Sequence, residues 1–304
     1  MITAAPLETR IYLWACGGLL ALSAAVSGSP PLGVQVAILA FGVLVFGLPH
    51  GALDPLIARR AGLTPGRAGV IAFHLAYGAA ALAVLMIWMA APLAALIGFL
   101  GYSAYHFAGD WTRGLAPRLA LGAAVLSLPC LAHADDVGAI YALLSGEAGN
   151  AVAAVQNRLW PFWIGIIAFA GVSFARQGRI SAALELAMLV TTALVLSPLL
   201  FFAAYFCALH SPRHFLALWR RFTDRRAPAI CAAVYTGLAA VMAIGAAIAF
   251  RPADLNVSAL GLQTVFIALA ALTAPHLILS SLIDRLQSEG DAHALPPVNR
   301  ERFH

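Results

Sequence analysis

Two histidines, His210 and His214, stand four residues apart in FFAAYFCALHSPRHF, residues 201–215. On a helix that spacing puts both imidazoles on one face. Neutral imidazole is the commonest metal ligand, and two on one face can grip one ion. Three more histidines lie in similarly apolar settings: His50 in GLPHGALD, His106 in GYSAYHFAGDW and His276 in TAPHLILSSLIDR. Neutral imidazoles without a thiolate suit iron, copper, zinc or nickel, and an all-histidine set fits redox or oxygen chemistry. The cysteines, Cys16, Cys130, Cys207 and Cys231, are scattered through apolar segments with no C-x-x-C pair. They imply neither a disulfide framework nor a zinc knuckle.

The neighbours of these histidines carry further signals. Pro212 lies between His210 and His214, and Pro49 and Pro275 immediately precede His50 and His276. Proline removes an N–H and kinks a helix, which either opens the angle between two ligands or serves packing alone. Asp54 follows His50 by four residues and Asp110 follows His106 by four. A metal-bound histidine usually donates its other N–H to a carboxylate or carbonyl, so both acids read as supports for ligands or as charges at a helix end. Glu185 is the one acid well inside an apolar run and requires an arginine, a histidine or a proton as partner. Tyr102, Tyr105, Phe107, Phe202 and Phe206 cluster near the histidines in sequence. They read as helix packing, or as the lining of a slot for a flat apolar substrate. His74 reads as a hydrogen-bonded core residue, and His133, His293 and His304 as solvated or interfacial.

The elements that position these groups must be membrane helices. The chain is 62% hydrophobic and 10% charged, with mean hydropathy +0.88, against about 25% charged in soluble domains. All 18 basic residues are arginine. Net charge +5 and pI near 9.3 do not indicate nucleic acid, because no basic patch interleaves with aromatics. The pattern predicts an all-α polytopic bundle over residues 1–304, one membrane domain with a polar tail at 286–304. Apolar runs of spanning length fall at 11–27, 33–53, 68–90, 93–109, 119–133, 158–175, 180–197, 198–219, 229–250 and 259–283, about ten spans with a range of eight to ten. Residues 134–157 read as the longest polar connection, and 180–197 and 198–219 are divided only at Ser197–Pro198. Arginines gather after the even-numbered spans, while Arg158 and Arg251 fall on the other side. The positive-inside rule then puts both termini in the cytoplasm. In that topology His50, His106, His210, His214 and His276 lie at a shared depth, roughly 6 to 15 Å from the cytoplasmic loops. Ionisable groups at such a depth face an interior or a functional path.

The stretches GLPHGALDP around His50, YHFAGDW around His106, YFCALHSPRHF around His210 and His214, and APHLIL around His276 resemble the Brp/Blh family of bacterial and archaeal membrane β-carotene 15,15′-dioxygenases. They occur in the family's order and spread over most of the chain. Where the family often has tryptophan before two of the histidines, this chain has Tyr105 and Leu209. The resemblance implies cleavage of the central double bond of β-carotene by dioxygen, giving two molecules of retinal. It implies non-haem Fe(II) with His50, His106, His210 and His214 as ligands, and His276 as an additional ligand or a group behind them. The topology read above is that of a multi-pass protein of the cell inner membrane, carotene is too apolar for the cytoplasm and is expected to enter from lipid, and the sequence leaves open whether retinal passes to a rhodopsin.

Three other classes fit parts of the pattern. A proton-coupled transporter would use the histidines and Glu185 as a relay. A di-iron hydroxylase or desaturase needs several histidine boxes, whereas only one HxxxH is present. A carotenoid- or retinal-binding protein, or a carotene isomerase, would use the slot without cleavage.

Overall fold

Proline and glycine divide the apolar chain into helices, and the computed structural model describes residues 5–26, 28–249 and 255–290. Among the described residues there is no strand. The helices are α1 (Leu7–Ala25), α2 (Leu32–Gly42), α3 (Leu48–Gly51), α4 (Asp54–Arg60), α5 (Gly66–Ala90), α6 (Pro92–Phe107), α7 (Leu115–Ser127) and α8 (Cys130–Ser145). They continue as α9 (Gly149–Arg158), α10 (Trp160–Arg176), α11 (Ile180–Val195), α12 (Pro198–Tyr205), α13 (Ser211–Trp219), α14 (Arg226–Ala249) and α15 (Val257–Gly290). Proline occupies the first turn of α4, α6, α10 and α12, where its missing N–H has no intrahelical partner to lose.

Four helical stretches are long and apolar enough to cross a bilayer: Leu32–Arg60, Gly66–Ala90, Arg226–Ala249 and Val257–Leu286. They coincide with the expected spans at 33–53, 68–90, 229–250 and 259–283. Two bent pairs raise the number to six, if α7 with α8 (84°) and α9 with α10 (60°) each count once. That is fewer than the expected ten. Expected spans at 93–109 and 180–197 are helical but short, that at 198–219 is helical throughout, and α1 opens with the charged Glu8 and Arg10. Residues 134–157, expected as a polar connection, are mostly helix, because α7 turns at Leu128–Pro129 into α8 instead of ending. α15 runs to Gly290, into the polar tail expected at 286–304, and the rest of that tail lies outside the described residues. Arg251, His293 and His304 lie outside the described residues.

The outer helices show why a membrane is needed. None of the apolar window of α5 is buried, and 6% of that of α14. Ile71, Leu75, Met86 and Met89 on α5 and Val234, Val241, Met242 and Ile248 on α14 are exposed. An apolar surface of that extent belongs against lipid. Inside, the core joins α2, α6, α11, α12 and α15 through Leu39, Leu96, Leu189, Leu199 and Leu262, all nearly inaccessible. Close backbone approaches set the packing. A Cβ at Gly122 would stand 1.9 Å from the Ala104 carbonyl oxygen, so α7 lies directly on α6.

The arginine-rich loops meet in space. Arg60 donates to the Arg221 carbonyl at 3.0 Å and covers Phe222. Arg179 donates to the Trp111 carbonyl at 2.7 Å. At the other end Gln35 bonds to Pro30 and accepts from Ser197, both at 2.7 Å.

Candidate metal centre

Two π-helical turns aim the central histidines. One, Val43–Gly47, joins α2 to α3 and precedes Pro49 and His50. The other, Phe206–His210, joins α12 to α13 and precedes Pro212. The chemical cause is shared: proline lacks the N–H and its ring crowds the carbonyl one turn back, so the preceding turn widens by one residue. The two widened turns pack together. A Cβ at Gly47 would stand 2.7 Å from Phe206, and one at Gly42 would stand 3.0 Å from Cys207 Sγ. Glycine at those positions lets the two histidine-bearing segments close on each other.

His50 from α3, His106 from α6, His210 and His214 around the start of α13, and His276 from α15 come together. Ring centroids are 4.7 Å apart for His106–His210 and 4.6 Å for His210–His214. His276 lies 5.3 Å from His50 and 5.4 Å from His106, and His50 lies 5.8 Å from His210 and 6.2 Å from His214. His50, His210 and His276 are buried, while His106 and His214 are partly so.

The outer nitrogens are engaged. Nδ1 of His50 is 2.5 Å from the Gly47 carbonyl, Nδ1 of His210 is 3.1 Å from Asp110 Oδ2, and Nδ1 of His276 is 2.9 Å from both oxygens of Asp54. Acceptors at Nδ1 put the proton there and leave Nε2 as a lone pair facing inward. Nε2 of His210 and of His106 are 3.0 Å apart. Two nitrogens bound cis to one metal at about 2.1 Å lie about 3.0 Å apart, so this pair fits one ion between them. His50, His106 and His276 form one triad of potential ligands, with atoms within 4.8 Å of one another, and Asp110, His210 and His214 form a second. His214 differs, since its Nε2 sits 3.1 Å from Asp110 Oδ1.

The acids serve other histidines than their spacing suggests. Asp54, four after His50, pairs with His276, and Asp110, four after His106, joins His210 and His214. A helix break explains each: Asp54 starts α4 after the turn at Ala52–Leu53, and Asp110 closes a 3₁₀ turn, Ala108–Asp110, beyond α6. Further supports carried no sequence signal. Tyr77 donates to Asp54 at 2.9 Å, and Tyr205 to Asp110 at 3.3 Å.

Behind Asp110 lies a charged knot. Glu185, 2% exposed, accepts from Arg213 at 2.5 Å, from Trp111 Nε1 at 2.7 Å and from the Thr9 hydroxyl. The expected arginine partner of Glu185 is therefore Arg213, which also reaches Asp110 at 4.0 Å. His74 lies apart, bonded to Tyr235 at 2.6 Å and to the Val70 carbonyl. His133 is partly buried, with Asp136 at 3.9 Å.

Among the slot candidates, Phe107 and Phe202 line an apolar cavity. Phe206 stacks on His210 at 5.8 Å. Tyr102 donates to the Ala270 carbonyl at 2.8 Å and ties α6 to α15, and Tyr105 is covered by the Arg118 guanidinium.

Comparison with known proteins names the family. No solved structure matches the chain. The chain is 30% identical over 258 residues to the protein named β-carotene 15,15′-dioxygenase from an uncultured marine bacterium, 66A03. That alignment covers 81% of this chain and 93% of the other. The family model for β-carotene 15,15′-dioxygenase matches residues 41–284, a stretch that holds all five gathered histidines. The chain belongs to the β-carotene 15,15′-dioxygenase family of oxygenases.

Proposed function

We propose that this protein cleaves the central 15,15′ double bond of β-carotene with dioxygen, giving two molecules of retinal, and that it does so with Fe(II). The observation that carries the reading is the convergence of five imidazoles, three of them (His50, His210 and His276) with Nδ1 held by a carbonyl or a carboxylate, in a chain of this family. His50, His106, His210 and His214 would hold the iron, with His276 as an additional ligand steadied by Asp54. Iron held there supplies the activation of dioxygen.

The chain's own residues do the rest. Asp110 fixes the planes of His210 and His214 at once, because each of its oxygens serves one ring. Phe107 and Phe206 pack on His210 at 4.8 and 5.8 Å and keep water from that side, which protects reactive species from side reactions. Both oxygen atoms end on carbonyl carbons, so no external reductant enters the balance. β-Carotene is too apolar to cross the cytoplasm and enters sideways from the lipid. In this reading the protein is a multi-pass bundle of the inner membrane with both termini cytoplasmic, which the contacts between arginine-bearing loops support. Retinal leaves the same way, to lipid or to a rhodopsin. A transporter relay through Glu185 has less support, because that carboxylate is held by Arg213, Trp111 and Thr9.

Expression in β-carotene-producing bacteria tests the reading, with retinal and residual carotene measured by chromatography. Retinal should form with the unaltered chain and fall at least about a hundredfold with His210→Ala, the scale of losing a group that supports chemistry directly. Full retinal output from His210→Ala would sink it.

A further inference from the structure

An apolar cavity lies beside the histidines along one face of α6. Leu96, Phe99, Leu100, Ser103 and Phe107 line it, at spacings that stay on one side of a helix over about 16 Å. Tyr141 of α8, Phe202 of α12 and Phe266 of α15 close it from other sides. Its volume is about 80 Å³. Its inner end adjoins the metal centre. Phe107 belongs to both, with its ring 4.8 Å from that of His210. Phe202 stacks at 5.3 Å on Phe206, the ring that lies on His210.

Two lining side chains carry a hydroxyl. Ser103 is 2% exposed and its hydroxyl has no hydrogen-bond partner. A helical serine ordinarily folds its hydroxyl back onto the carbonyl one turn earlier, and Ser103 does not. A buried polar atom left unpaired calls for a partner that the protein itself does not provide. Ser103 is four residues from Phe107, about 6 Å along the axis from the inner end. The complementary ligand is a long apolar arm with one acceptor oxygen near the histidines.

We infer that this cavity holds a polyene aldehyde, one half of the cleaved substrate, with its carbonyl oxygen accepting a hydrogen bond from Ser103. The inference rests on the cleavage reading, because cutting the bond beside the histidines creates the aldehyde at that end of the arm. At about 80 Å³ the cavity is smaller than the arm, so binding requires its apolar lining to open as the arm enters. Retinal is then held after cleavage and competes with the next carotene.

The test uses the full chain, loaded with Fe(II), in phosphatidylcholine nanodiscs under argon. All-trans-retinal is titrated in and followed by its absorption band and infrared carbonyl stretch. The unaltered chain should bind it and lower the stretch. Ser103→Ala should weaken binding about tenfold, the scale of one neutral hydrogen bond, and lose the shift, whereas Ser103→Thr should keep both. Leu100→Trp, which fills the cavity, should abolish binding with iron content unchanged. Equal binding by the unaltered chain and Ser103→Ala, or retinal found only in lipid, would overturn the inference. Carotene turnover in the same preparations separates the two readings. A chain that forms retinal without any dependence of retinal binding on Ser103 overturns this inference alone. A chain that forms none overturns cleavage, and binding that depends on Ser103 would then stand as aldehyde binding by itself.

Discussion

Arg213 stands in sequence between two proposed ligands and points away from them, into the carboxylate of Glu185. Its side chain is 13% exposed and that of Glu185 is 2%, so the pair is desolvated. A buried pair contributes little net stability while both members are present, but removing one strands the other charge. Arg213→Met is therefore expected to cost about 3–5 kcal/mol, read as a lower melting temperature in detergent. Adding Glu185→Leu should recover part of that loss, because no lone carboxylate remains. Unequal metal content in the two variants would show that the knot also orients Asp110. At this scale the sequence was partly legible. An acid inside an apolar run demanded a partner, and arginine was one of the candidates. Which arginine, and that Trp111 and Thr9 would share the carboxylate, depended on how α1, α11 and α13 meet. The same holds for Asp54, whose i, i+4 relation to His50 was overridden by a helix break that hands it to His276.

The elements owe their shape to proline placed before a histidine. Pro49 and Pro212 were visible as kinks, and the structure turns each into a π-helical widening that rotates the next residues inward. Removing one residue from a turn shifts the phase of a helix by about 100°. Pro212→Ala should let the segment regularise, keep helix content by circular dichroism, and lower iron affinity about tenfold, the low end of losses when ligand orientation is disturbed. Unchanged iron affinity would mean that packing alone holds the rings. Gly47 and Gly42 belong to the same device, since any side chain there would push Phe206 or Cys207 off the joint between the two turns. No spacing rule pointed to those glycines. Residues 134–157 were misread at this scale for a related reason: their charges suggested a loop, yet α8 and α9 pack closely enough that a Cβ at Gly149 would meet the Tyr141 carbonyl.

Among the described residues, arginines of several loops lie together near the histidine cluster. Arg60 meets Arg221, Arg179 meets Trp111, and Arg213 sits beside Asp110, so the loops expected to be cytoplasmic cap the cluster. A green fluorescent protein fused after His304 should fluoresce, and alkaline phosphatase fused there should stay inactive, with at least about a tenfold contrast between the two sides as the positive-inside rule implies. The opposite pattern would reverse the proposed orientation. Four helices are long and apolar enough to cross, or six if each bent pair crosses once, against the ten apolar runs of the sequence.

Composition alone determined that this is a helical membrane protein, because so little charge cannot cover a water-facing surface. The order and type of the histidine motifs determined the family, because those residues stand in recognisable local patterns. Depth counting brought five histidines to one level, because rise per residue is a local property. Only the tertiary structure decided which carboxylate serves which ring, which arginine meets Glu185, and where an apolar arm can lie beside the cluster. Each of those is a contact between residues on different helices, set by where glycine permits close approach and where proline turns the backbone, and no one-dimensional period encodes it.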